Sequence, residues 1–197
     1  RAATAHADGR VRVWDSATGA LHAALLLVET DAPIASSLRL AFTADGEEIR
    51  AGVRLPDDGR VRVRGWNVDT GIDTFTLDIP IDYIPYDSVA GFAFLADGSA
   101  ILVGPRLVSL PDGAIVRELA DSATLPAAVS ADGRLAMVYA RNERSRVWNL
   151  HTGARELTVE HGEDGNMLGT ISSAGGFVVA NTVTPYRLGV WRIPPEE

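Results

Sequence analysis

Apolar and polar positions along this chain recur mainly with a period of two. Leu38, Leu40 and Phe42 alternate with Arg39 and Ala41, and Phe92 and Phe94 flank Ala93. Side chains spaced by two share one face of a strand, so the pattern predicts half-buried β-strands. No stretch carries a convincing helical period. The leucine-rich piece around Leu25, Leu26 and Leu27 is helix-like only locally; in register with its surroundings it reads as a strand.

The strands fall into repeats. One motif reads RVRVWDSATG (10–19), VRGWNVDTG (63–71) and SRVWNLHTG (145–153). Each pairs a tryptophan with a glycine five residues later: Trp14 with Gly19, Trp66 with Gly71, Trp148 with Gly153. A degenerate copy, RLVSLPDG (106–113), puts Val108 near the tryptophan position and ends at Gly113; a truncated one, LGVWRIPPEE (188–197), carries Trp191. The four glycines are 52, 42 and 40 residues apart, close to the ~40–45 of a propeller blade. A second motif alternates with the first: LRLAFTADGEEIRAGV (38–53), GFAFLADGSAILVG (91–104), PAAVSADGRLAMVYA (126–140) and GTISSAGGFVVANT (169–182). Each copy is an apolar run, a turn centred on Asp-Gly or Gly-Gly, and another apolar run. Asp-Gly between such runs signals a tight hairpin, with both central residues of a type I′ turn at positive φ.

Each unit thus predicts four short antiparallel strands, the composition of a propeller blade. A single blade cannot bury both faces, so neighbours must stack. The fold class expected is all-β: a segment spanning 1–197, with a partial blade at 1–27, fuller blades at 37–79, 89–120 and 125–160, and a second partial blade at 168–193.

The motifs resemble WD40 repeats. WDSATG and WNLHTG are similar to that family's third-strand ending, and Asp8, six residues before Trp14, takes the place of its aspartate before the tryptophan strand. His161 in VEHG sits where the family's histidine falls, but the Gly-His pair is absent and the third unit lacks its tryptophan, so the Asp–His–Ser–Trp hydrogen-bond network of such blades is incomplete. A WD40 propeller usually closes with seven blades, more than this chain supplies. The expectation is an open arc forming the C-terminal part of a longer protein, its remaining blades upstream.

Composition narrows the function. The net charge of −8 argues against generic attraction to nucleic acid or anionic lipid, and no run of 18 apolar residues is present. All 18 basic residues are arginine, which excludes lysine-dependent phosphate binding and Schiff-base chemistry in this chain. With no cysteine there is neither a disulfide framework nor a thiolate metal site, and a cytoplasmic location is expected. His6, His22, His151 and His161 show no metal-ligand spacing, and the acidic loop EHGEDGN (160–166) does not match a calcium-loop template. No nucleophile-elbow, P-loop or dinucleotide-binding motif occurs. The sequence therefore predicts no catalytic residue, no metal and no cofactor.

The four tryptophans recur at strand ends, which points to packing between blades and not to a ligand cage. Trp14, Trp66, Trp148 and Trp191, with Gly19, Gly71, Gly113 and Gly153, are read as scaffold. By the resemblance, binding belongs on the rim formed by the loops between blades and between strands two and three. The candidate rim is Asp31, Asp58, Arg60, Asp82, Tyr83, Tyr86, Arg141, Arg144, His161 and Asp164. Within it DIPIDYIPYDSV (78–89) stands out, because tyrosine is enriched at interface hot spots and proline-restricted loops lose less entropy on binding. The expected role is a non-catalytic platform for protein partners, with no nucleic acid and no membrane. The resemblance also implies that bacterial proteins of this sort attach propellers to kinase, protease-like or signalling modules. Two alternatives stand beside it: an enzyme or sugar-binding propeller using its central channel, and an architectural arc completing a propeller with another chain or with upstream blades.

Overall fold

The computed structural model describes residues 1–30, 38–55, 59–81, 91–119, 124–140, 144–160, 169–172, 175–183 and 186–194. Eighteen strands form five antiparallel sheets among them. Blade 1 has three strands, β1 (Ala2–Ala5), β2 (Arg10–Trp14) and β3 (Leu21–Leu26). Blade 2 has four, β4 (Leu38–Phe42), β5 (Glu48–Leu55), β6 (Arg60–Asn67) and β7 (Asp73–Pro80). Blade 3 has β8 (Phe92–Phe94), β9 (Ala100–Val103), β10 (Arg106–Ser109) and β11 (Ile115–Glu118). Blade 4 has β12 (Thr124–Val129), β13 (Leu135–Ala140), β14 (Arg144–Asn149) and β15 (Arg155–Glu160). Blade 5 has β16 (Gly169–Ile171), β17 (Phe177–Val183) and β18 (Tyr186–Arg192). The leucine-rich piece is strand β3, as its register with the repeat requires.

Strands in each sheet run in sequence order, an up-and-down meander. The inner strands are neighbours in turn: β1 with β4, β4 with β8, β8 with β12 and β12 with β16. The sheets therefore fan around an axis as propeller blades do. Among the described residues no strand pairing closes the series, so the arc is open.

Both faces of the inner blades are apolar, and each face is buried against a different neighbour. Val11, Val13, Leu25 and Leu27 of blade 1 pack on Ile49, Ala51, Val53 and Trp66 of blade 2. Val61, Val63 and Ile79, from the other face of blade 2, meet Phe92, Ile101, Val103 and Val108 of blade 3. Leu102, Leu107 and Leu119 then meet Ala136, Val138 and Trp148. Leu135, Met137, Val147 and Val159 finally meet Ile171, Val178, Ala180 and Ile193. Four clusters, one per blade junction, replace a single central core. The long apolar runs in β5, β9 and β13 follow from this, since burial on both faces removes the need for alternation.

The turn that follows the tryptophan strand is built the same way in blades 1, 2 and 4. In blade 2 the Asn67 side-chain oxygen accepts from the N–H groups of Asp69 and Thr70, and Gly71 N–H closes back onto the Asn67 carbonyl. Asp15 serves Ala17 and Thr18 in blade 1, and Asn149 serves His151 and Thr152 in blade 4. Such side-chain caps explain why Asp or Asn follows Trp14, Trp66 and Trp148. A bulge falls beside the tryptophan in β2, β6 and β14, and at the matching Leu107–Val108 step of β10.

The Asp-Gly turns differ from the two-residue type I′ form that the sequence pattern predicts. In blade 2 Gly46 N–H donates to the Thr43 carbonyl, which makes Ala44 and Asp45 the central pair. Gly46 follows them at φ +73°. The Thr43 hydroxyl donates to Asp45 at 2.6 Å and accepts from Glu48 N–H at 3.0 Å. These bonds support a wider loop built on a type I turn, with one left-handed residue instead of two.

Candidate functional site

The meander sends strands one and three toward the turns just described. It brings the ends of strands two and four to the opposite end, where the loop rim lies. Of the candidate rim residues, Asp31, Asp58, Asp82, Tyr83, Tyr86, Arg141, His161 and Asp164 lie outside the described residues. Arg60 is exposed as the first residue of β6, paired in register with Leu55 and Pro80. Arg144 opens β14, opposite Ala140 and Glu160.

Those two arginines belong to a row. With β2 counted as a third strand because it ends at Trp14 as β6 and β14 end at Trp66 and Trp148, each of the first four blades opens its third strand with arginine: Arg10, Arg60, Arg106 and Arg144. Arg10 and Arg106 escaped the sequence reading, although the signal was present in RVRVW, RVRVRGW, RLVS and RSRVW. Behind the row, further arginines are held by carboxylates. Arg12 donates to both oxygens of Asp8, and Arg62 grips Asp78 through Nε and Nη2 at 2.8 and 2.7 Å. The bonds from Arg12 and Arg62 hold the Asp8 and Asp78 carboxyls below the usual carboxylate range. Both aspartates therefore stay ionised at neutral pH, and the two pairs stand as fixed, oriented charges beside the loop end.

The opposite end is acidic. Its described turns present Asp15, Asp45, Asp69, Asp97, Asp112 and Asp132. Hydrogen bonds from Thr43 and from backbone amides depress the Asp45 carboxyl, and the Ser109 hydroxyl does the same for Asp112. Asp15, Asp45, Asp97, Asp112 and Asp132 shape their turns through side-chain hydrogen bonds, and Asp69 faces Arg1. No group of three or more His, Asp or Glu side chains able to hold a metal occurs among the described residues.

The scaffold residues fall into two kinds. Trp66 and Trp148 are buried at blade junctions, each on the face turned to the preceding blade. Trp191 is half-buried against blade 4. Val108 holds the same position in blade 3, opposite Ile101, as Trp66 holds opposite Ile49. Trp14 is half-buried and belongs to none of the four clusters; its Nε1 donates to the Thr4 hydroxyl at 2.8 Å, and Thr4 also bonds the His6 ring nitrogen at 2.8 Å. Blade 1 thus has a Trp–Thr–His chain whose histidine comes from residue 6. Gly19, Gly71, Gly113 and Gly153 end the turns between strands three and four, the last three packed toward Leu25, Leu77 and Arg117 of the preceding blade.

Arginines also cross the blade junctions. Arg64 donates to the Leu26 carbonyl at 2.7 Å and lies over the Trp66 ring. Arg50 reaches the Gly98 carbonyl, and Arg117 reaches the His151 and Thr152 carbonyls. His22 bonds the Val68 carbonyl at 3.1 Å. Each bond ties a side chain of one blade to its neighbour's backbone.

The chain has the β-propeller fold, present here as an open arc. It is similar to the crystal structure of the β-propeller domain of Cps50 (Swd1) from Myceliophteria thermophila, with a TM-score of 0.66 at 15% identity. The likeness covers 99% of this chain and 62% of the other, so the chain spans about three-fifths of that solved propeller. No protein-family model matches the chain, and no curated protein matches it. No helix among the described residues is long and apolar enough to cross a membrane.

Proposed function

We propose that the chain is part of a WD40-type propeller and serves as a non-catalytic platform for protein partners, bound through its loop rim. The observation that carries this is the arginine row. Arg10, Arg60, Arg106 and Arg144 open four successive third strands at one end of the arc. Arginine gives planar, multi-donor contacts to carboxylates and is enriched in protein interfaces. Tyr83, Tyr86 and the charged loop residues Asp31, Asp58, Asp82, Arg141, His161 and Asp164 join the same rim in this reading. The tryptophans and turn glycines then maintain the blades and have no part in binding. The span of 62% of a solved propeller suits a segment of a larger one.

The test is quantitative cross-linking of the chain in its own cells, comparing wild type with Arg60→Glu/Arg106→Glu and with Tyr83→Ala/Tyr86→Ala. Partners held by the rim drop out with either pair of changes, while the melting temperature stays within a few degrees. An unchanged partner set in both variants would refute the rim assignment.

A further inference from the structure

Strand register makes the outer margins of the four blade junctions comparable. Leu21, Asp73, Ile115 and Arg155 stand opposite Trp14, Trp66, Val108 and Trp148. Four residues further along the chain come Leu25, Leu77, Leu119 and Val159, each in the cluster shared with the following blade. Leu25 is 6% exposed, Leu119 3% and Val159 1%. Each of these three meets a tryptophan of the following blade: Trp66, Trp148 and Trp191. Leu77 meets Val108 instead and is only half-buried. An indole spans the outer margin of a junction, whereas the short side chain of Val108 does not reach so far, and a rigid surround closes such a gap only in part.

The junction of blades 2 and 3 is therefore left with an apolar recess. Val108 forms its floor and Leu77 one wall; Ile115, directly opposite Val108 and 59% exposed, forms the other. The Leu77 methyl groups lie 3.3 and 3.4 Å from where a Cβ on Gly113 would stand, so the two walls join in one surface. Phe75 does not fill the gap. Its ring lies over Gly65 of its own blade, with the Arg50 guanidinium 5.4 Å from its centre. The junction lies inside the arc with a blade on each side, so the opening comes from the size of the side chain at position 108. Carboxylates flank it. Asp112 is exposed in the turn before Ile115, and Glu118, on the same face of β11, keeps 64% of its side chain exposed with Arg106 3.8 Å away. A single exposed aliphatic side chain is ordinary, but here it continues into a half-buried junction.

We propose that this recess receives a large aromatic side chain from a partner protein, carried on a segment with basic residues on either side of it. The ring takes the place that Trp66 and Trp148 hold at the neighbouring junctions, and the basic residues face Asp112 and Glu118. An aromatic anchor seated in an apolar recess supplies much of the energy of many interfaces, while charges at the edge set orientation. The walls of the recess include neither the rim loops nor the arginines of the row, so this site stands or falls separately from the platform reading.

The experiment is a nuclear magnetic resonance titration of the isotope-labelled 197-residue chain with the peptide acetyl-Lys-Ser-Trp-Ser-Lys-amide. Saturable shifts are expected at the amides of Leu77, Ile115 and Val116. Alanine in place of the peptide's tryptophan weakens binding about tenfold or more, and glutamate in place of both lysines about threefold. Val108→Trp abolishes the shifts, because the chain's own indole then fills the recess. Blades 2 and 4 carry tryptophan at this register, and circular dichroism checks that the variant keeps the β-fold. Ile115→Lys, at an exposed position, is the second variant and weakens binding about tenfold or more. Absence of saturable shifts in the wild type overturns the proposal and leaves Val108 as a tolerated gap. Shifts confined to the loop end overturn it in favour of the rim, and binding that survives both variants overturns it as well.

Discussion

Arg50 reaches out of blade 2 and donates from Nη1 to the carbonyl oxygen of Gly98 in blade 3, 2.6 Å away. The same nitrogen lies 3.4 Å from the Leu110 carbonyl, Nη2 bonds Glu48 at 2.9 Å, and the guanidinium stands 5.4 Å from the centre of the Phe75 ring. The arginine is almost wholly buried, so its charge is tolerable only because these groups surround it. Arg50→Ala leaves two carbonyls and Glu48 without this donor. It should cost about 2–4 kcal/mol in chemical denaturation, in line with lost buried bonds to a charged group. Arg50→Lys recovers only part of this, because one ammonium cannot reproduce the planar fork. A loss below the noise of the measurement would show that the cross-blade bond is incidental.

The tryptophans divide by position in the arc. Trp66 is buried between blades 1 and 2, and its replacement by alanine opens a large cavity. Trp66→Ala should cost about 3–5 kcal/mol. Trp14 holds the same place in its strand but lies half-exposed, so Trp14→Ala should cost only about 1–2 kcal/mol, from partial burial and the bond to Thr4. Thermal melts of monomeric material decide this, and equal losses would contradict the difference in burial.

How far the sequence foretold these features depends on the distance between the residues involved. The cap at each Trp-Asp or Trp-Asn step joins residues two or three apart, so WDSATG and WNVDTG announce it. Val108 could be placed at a tryptophan position because the spacing to Gly113 survives when the indole does not. The Asp-Gly pair is shared by two turn types, so it does not distinguish them; the wider loop forms in blade 3 as well, where Leu95 stands in the place of Thr43 and its carbonyl still accepts from Gly98 N–H. Arg50 and Gly98 are 48 residues apart, and no local pattern links them. Gly52 is similar: a Cβ there would lie 2.7 Å from the Phe92 ring, a close approach made only when blade 3 stacks on blade 2. The arginine row was visible in the strand motifs, but its meaning required knowing that all four strands begin at one end.

Acid should loosen the arc through its aspartates. The carboxyls of Asp45, Asp78 and Asp112 titrate below their ordinary range because they accept hydrogen bonds from Thr43, Arg62 and Ser109. A folded-state value below the unfolded one means stability that is complete above the unfolded value of about 3.9 and lost as pH falls through the folded value. Denaturation midpoints should therefore be flat from neutrality to about pH 5 and fall below pH 4. Asp78→Asn should flatten part of that fall, because the ionised partner of Arg62 is gone. An unchanged acid limb in the variant would remove Asp78 from the account.

Asn149 offers a sharper test, because its amide uses both ends. The oxygen accepts from His151 and Thr152 N–H, and the nitrogen donates to the Glu156 carboxylate at 3.2 Å, in a buried position. Asn149→Ala removes the cap and should cost about 1–2 kcal/mol, as for other lost side-chain caps. Asn149→Asp keeps the acceptor but loses the donor, and it sets a second carboxylate against Glu156 where water is scarce. Asp15 fills the same place in blade 1, but there the Thr18 and Ala17 bonds and then Arg1 hold its carboxyl below the usual range, and the residue seven positions on is His22 where blade 4 has Glu156. The new carboxylate has its proton affinity raised by burial and by Glu156, so the folded state binds protons that the unfolded state has released. Asn149→Asp should then be more damaging than Asn149→Ala at neutral pH and recover as pH is lowered toward the carboxylate range, opposite in slope to the wild-type acid limb. Urea midpoints of both variants between pH 7 and pH 5 measure this directly. A pH-independent difference between them would mean that Glu156 does not sense the residue capping the turn.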